Sequence, residues 1–124
     1  MYTFEECGEM LDEIADSMPY ELYRDLSGGM RIVPHAKLHP KAVSNDLFIL
    51  GEYHRDRLGK YIVFYYGSII RCYGNLPRDK FYEMLRRTLA HEVRHHNEYL
   101  AGSDDLNLYD DKRIKDYLIR KGVE

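Results

Sequence analysis

Apolar residues recur at spacings of three and four between Phe4 and Met18, where Phe4, Cys7, Leu11, Ile14 and Met18 share one face of an α-helix. Thr3 followed three residues later by Glu6 makes a capping box, so the pattern predicts an amphipathic helix over residues 3 to 18. Pro19 permits a restart, Leu22, Tyr23 and Leu26 form a short second stripe, and Gly28-Gly29 ends it. The period then changes. MRIVP, LFILGEYH and the aromatic, β-branched run YIVFYYGSIIRCY predict three strands, the first two separated by the loop PHAKLHPKAVSND. The turn DRLGK is too short for a crossover, so the last two strands are expected to pair antiparallel, with Gly59 at a positive φ. Gly67 is expected to mark a bulge in the longest strand, residues 60 to 73.

Helical periodicity returns after Gly74-Asn75-Leu76-Pro77, carried by Phe81, Met84, Leu85, Thr88, Leu89 and Val93. It predicts a long helix from about residue 78 to a glycine stop at Gly102. Beyond the loop Ser103-Asp104-Asp105, Asp110 is placed to cap a C-terminal helix that uses Ile114, Tyr117 and Leu118. The expected fold class is therefore α+β: a three- to four-stranded, mostly antiparallel sheet packed on the long helix, with N-terminal and C-terminal helices. No repeat or linker divides the chain, and 124 residues with 44% hydrophobic content suit one domain spanning 1-124.

Charge narrows the possible partners. A formal net charge of -3 and a pI near 6.1 leave no broad basic surface for phosphates, so nucleic acid is not expected as a partner. The acidic, interrupted start MYTFEECGEMLDEIADSM lacks the form of a signal peptide, and no run approaches the roughly twenty apolar residues of a membrane span. Cys7 and Cys72 form no close pair and read as small buried apolar residues with reduced thiols. A cytoplasmic protein without membrane association is the expectation.

The chemistry concentrates in LAHEVRHHNEYLAG, within the long helix. Residues four apart differ by about 40° net rotation and ~6 Å of rise, so His91 and His95 point the same way. Two imidazoles at that offset can hold one tetrahedral zinc ion, and Glu92 can lean over an open coordination position as general base. Such a site needs a third ligand. Gly102 followed three residues later by Asp105 suggests a chain reversal that returns a carboxylate to the metal, which favours Asp105. Glu98, on the same face as both histidines, is the rival, and Asp104 is a further alternative.

His96, about 140° around the helix from His91, suits packing or support of the site rather than direct ligation. His35, His39 and His54 read as surface residues of loops or strand ends. Among the 12 tyrosines, Tyr65, Tyr66, Tyr99 and Tyr109 are candidates to donate a hydrogen bond to an oxyanion.

With TFEE opening the first helix, LYRDLSGGMRIVP, LFILGEYHRDRLGKYIVFYYGSIIRCYG and LRRTLAHEVRHH, nearly the whole chain resembles the small zincin-like metallopeptidases, the minimal zincins found in bacteria. The motif of that family is typically HExxHHFGxxD, and His91, Glu92, His95 and His96 match its first half. Its second half differs: NEYLAG places Gly102 four residues late, with Asp105 at the family's interval after it. The resemblance implies a truncated zincin, a small sheet on an active-site helix, in which an edge strand can take a peptide or protein substrate as an added strand. The strand of residues 60 to 73 is a candidate for that edge.

Together these readings give a zinc-dependent metallopeptidase, a hydrolase of peptide bonds, with Zn2+ held by His91, His95 and Asp105 and water activated by Glu92. The alternative is a catalytically weak or inactive metal-binding or interaction domain with the same fold.

Overall fold

The computed structural model describes residues 1–44 and 46–102. The predicted C-terminal helix, Asp104, Asp105 and Tyr109 lie outside the described residues. Helix α1, Phe4–Ser17, starts at the predicted capping box: Thr3 accepts from the Glu6 amide at 3.0 Å, and Glu6 accepts from the Thr3 amide at 2.9 Å. Its core face is Cys7, Met10, Leu11 and Ile14. The second apolar stripe forms only a short 3-10 turn, Tyr20–Tyr23, because Pro19 and an extended Arg24 bracket it.

Three strands follow: β1, Gly29–Val33; β2, Gly51–Asp56; and β3, Gly59–Tyr65. Strands β2 and β3 form the expected antiparallel hairpin, with Gly59 at φ 107°. The sheet is not mostly antiparallel, however: its order is β1-β3-β2, and β1 pairs parallel to β3. The chain between β1 and β3 contains the whole of β2, and this long connection supplies the crossover that a parallel neighbour requires. Among the described residues strand β3 is therefore central, and the edges are β1 and β2. A peptide cannot add at β3.

The long strand predicted for residues 60 to 73 is also corrected. It ends at Tyr65, and Tyr66–Tyr73 is helix α2. Gly67 marks a close approach instead of a bulge: a Cβ there would meet the Ala36 nitrogen at 2.5 Å and the His35 carbonyl carbon at 2.8 Å. Beside it, the buried Ser68 hydroxyl accepts from the Lys37 amide at 2.8 Å and donates to the Lys37 carbonyl at 3.3 Å. Tertiary contacts of the loop after β1 thus override the strand propensity of the β-branched residues Ile69 and Ile70.

Helix α3, Arg78–Leu100, is the long predicted helix, and Gly102 follows it at φ 78°. One face of the sheet, with Met30, Ile32, Ile62 and Phe64, packs with α1 and with Phe81, Leu85, Leu89 and Val93 of α3 into the main core. The opposite face carries Tyr61, Val63 and Tyr65, packed with Val33 and Ile49. Cys7 is fully buried as expected, whereas Cys72 is exposed on α2. The chain is an α+β domain with three helices and a small mixed sheet among the described residues, and none of its described helices is long and apolar enough to cross a membrane.

Candidate functional site

The buried residues of α3 are Phe81, Leu85, Leu89, Glu92, Val93 and His96, a stripe that begins apolar and becomes polar in its second half. Packing alone does not select Glu92 there, at 7% exposure, or His96, at 0%, since burying an ionised or polar group without compensation costs several kcal/mol. His91 and His95 flank that stripe, half-buried, as the four-residue spacing requires.

Their rings stand at 90° to each other with centroids 4.7 Å apart and Nε2 atoms 3.2 Å apart. Two nitrogens each about 2.0–2.1 Å from one tetrahedral zinc ion are separated by about 3.3–3.4 Å. The observed separation fits shared ligation of a metal, and it equally suits an N–H···N hydrogen bond between the two rings. The donor pair therefore fits the metal in both chemistry and spacing.

The remaining ligands predicted from sequence fall out differently. Glu98 accepts a hydrogen bond from Arg94 Nε at 2.9 Å. Among the described residues no group of three or more His, Cys, Asp or Glu side chains is arranged to hold a metal, so Glu98 does not complete a set with His91 and His95. Asp105 and Asp104 lie outside the described residues.

His96 ties the long helix to the rest of the fold. Its Nε2 lies 2.7 Å from the Arg24 carbonyl, which can only accept, so that nitrogen carries a proton; in the neutral tautomer Nδ1 accepts the Tyr53 hydroxyl at 2.5 Å. Asn97 reinforces the connection, donating to the Leu22 carbonyl at 2.9 Å and accepting from Arg24 at 2.8 Å. The second histidine of the HH pair thus fixes the lateral position of α3 between edge strand β2 and the turn before β1.

Two of the tyrosine candidates are committed elsewhere. Tyr65 donates to Glu52 at 2.6 Å on the opposite sheet face, and Tyr66 donates to the Tyr2 carbonyl at 2.5 Å. Tyr99 continues the His91/His95 stripe one turn further and is 45% exposed. Tyr53 emerges only from the fold; its one sequence signal is the alternation in GEYHRD, which sends Tyr53 and Arg55 to the same face.

On the opposite face, Glu52 gathers Lys37 at 2.7 Å, Tyr65, and His54 at 3.3 Å. Burial alone would raise its carboxyl, but hydrogen bonds from Lys37 and Tyr65 and the charges of Lys37 and His54 hold it below the usual 4.5. His54 also stacks on Tyr61, with centroids 5.0 Å apart, and His35 meets the Tyr65 ring edge-on at 5.4 Å. His35 is the exposed loop residue expected, while His54 is a half-buried part of this aromatic and ionic cluster; both are separate from the His91/His95 pair.

No family model matches the chain, and no curated protein matches it. Among solved structures, it is similar to a conserved hypothetical protein from Thermus thermophilus, with 30% sequence identity and a TM-score of 0.70. The match covers 81% of this chain and 98% of that one. With that identity over essentially the full length of the relative, this chain belongs to the same family as the conserved hypothetical protein of Thermus thermophilus.

Proposed function

We propose that the protein is a zinc-dependent metallopeptidase of the zincin-like type. The observation that carries this reading is the His91/His95 pair, whose Nε2 atoms stand 3.2 Å apart beside a buried glutamate. His91 and His95 would hold the metal, with Asp105 the favoured third ligand. When bound, zinc supplies Lewis acidity that polarises a substrate carbonyl and acidifies water. Glu92 accepts the proton of the attacking water on its carboxylate and delivers it to the leaving amine nitrogen.

The substrate is a peptide laid along an edge strand beside α3. Strand β2 fits this role because α3 packs against it and Tyr53 touches His96. The Tyr65 amide donates to the Leu50 carbonyl at 2.9 Å, so strand alternation turns the backbone groups of Glu52, His54 and Asp56 towards β3 and those of Gly51, Tyr53 and Arg55 outward. The outward groups are available to an added strand.

The experiment is to measure zinc content and cleavage of a peptide library by the same preparation. A peptidase binds about one zinc per chain and cuts. A zinc-bound protein that cuts nothing supports the second reading, a metal-binding domain without turnover, whereas a protein that binds no zinc removes both.

A further inference from the structure

Where β2 meets β3 at the hairpin turn stand two cations that no carboxylate of the described residues balances. Arg55 and Lys60 are register partners on adjacent strands, and like charges directly opposite one another are destabilising. Asp56 turns to the other face, where it accepts from the Tyr61 hydroxyl at 2.7 Å and the Leu58 amide at 2.8 Å. Among the described residues, Arg55 instead meets two rings: its guanidinium carbon lies 3.9 Å from the Tyr99 centroid and 5.9 Å from that of Tyr53. Stacking on a ring uses the face of a guanidinium and leaves its in-plane N–H donors available for a planar acceptor.

The location matters as much as the charge. Tyr99 lies four residues beyond His95 and eight beyond His91, so its ring extends their face of α3 by about one turn, ~6 Å. Tyr53, two residues before Arg55 on the same side of β2, touches His96. The Arg55 guanidinium therefore stands on the β2 edge beside the last turn of α3, on the order of 10 Å from His95. At roughly 3.4 Å per extended residue, that is about two or three residues of a bound peptide.

We infer that Arg55, seated on Tyr99 with Lys60 beside it, is a specificity element that binds a carboxylate of the substrate peptide two or three residues from the bond served by Glu92. The inference rests on the peptidase reading and assigns a substrate class to it: peptides bearing an acidic side chain or a free C-terminus at that distance. A ligand carboxylate there relieves the Arg55–Lys60 juxtaposition and engages the in-plane donors of Arg55 at once.

Binding tests the inference apart from turnover. Zinc-loaded Glu92→Gln protein is titrated with fluorescent decapeptides matched in pairs, Glu against Gln at one position and free against amidated C-terminus. The carboxylate member is expected to bind about tenfold more tightly, with the preference weakened by salt and lost in a background carrying Arg55→Gln. An Arg57→Gln control, which removes a neighbouring exposed charge, keeps the preference. Preference within the Glu/Gln pair identifies a side-chain carboxylate, and preference within the acid/amide pair identifies the chain end. Equal or absent binding of all four peptides overturns the inference, as does a preference that survives Arg55→Gln. If selectively bound peptides are left uncut by wild-type protein, the peptidase reading fails while the carboxylate site stands; cleavage without charge preference gives the reverse.

Discussion

Tyr53 and His96, 43 residues apart in sequence, meet where the edge strand faces the long helix, with the tyrosine hydroxyl 2.5 Å from the histidine Nδ1. Because His96 also bonds the Arg24 carbonyl and is fully buried, one side chain sets the distance between β2 and the helix that carries His91, Glu92 and His95. Tyr53→Phe leaves a buried nitrogen without its donor and is expected to lower stability by about 1–2 kcal/mol. His96→Ala adds a cavity and an unpaired carbonyl, for a loss of about 2–4 kcal/mol. Urea melts of both variants check the order; a His96→Ala protein as stable as wild type contradicts this role.

Zinc is expected to stabilise the folded chain in proportion to its occupancy. At a free concentration about a hundred times the dissociation constant the gain is about 2.7 kcal/mol, which raises Tm by several degrees in a domain of this size. His91→Ala and His95→Ala should each abolish the shift. A titration followed by thermal melting reads this directly, and an unchanged shift in either variant removes that residue from the ligand set.

The cluster on the opposite sheet face predicts a pH dependence independent of the metal. Glu52 titrates below its usual 4.5 in the folded state, so its contribution is present above that value and is lost as pH falls through the folded pKa. Lys37 titrates above its usual 10.5, chiefly through its hydrogen bond to Glu52, so its contribution is present below 10.5 and is lost as pH rises further. The Lys37 side chain is 39% exposed, and solvent screening holds the pair to about 0.5–1 kcal/mol. Glu52→Gln should flatten the acid limb of a stability profile measured between about pH 5 and 3. An unaltered limb assigns the acid sensitivity to other carboxylates.

The two thiols should differ in reactivity. Burial pushes Cys7 up to about 11 and leaves it with no exposed surface, whereas Cys72 is exposed on α2. Native protein treated with iodoacetamide at about pH 8 should be alkylated at Cys72 well before Cys7, as read by peptide mass. Equal rates would mean that α1 opens on the timescale of labelling.

What the sequence revealed follows from the range of the interactions involved. The capping box at Thr3 and Glu6 and the alignment of His91 with His95 depend on spacing within one helix, so a single stretch of chain specifies them. Helix α2 was hidden because YGSIIRCY has strand-like residues, and its helical state reflects the approach of His35 and Ala36 to Gly67 and the Lys37 bonds to Ser68. The parallel pairing of β1 was hidden for a related reason: which edge of the hairpin receives it is decided by the crossover. In the candidate site, the shared face of His91 and His95 was legible because it depends only on helical spacing, while Tyr53 and Arg55 take their positions only when β2 lies against α3.

The central claim concerns Glu92, which can be changed without removing either histidine. Glu92→Gln is nearly isosteric and should leave the fold and the bound zinc in place while removing the acceptor for the proton of the attacking water. The most direct measurement is peptide-bond cleavage by zinc-loaded wild-type and Glu92→Gln proteins, with zinc content determined on the same samples. The account predicts equal zinc and a fall in kcat of at least about a hundredfold in the variant; equal cleavage by the two proteins, or no cleavage by the zinc-loaded wild type, contradicts it.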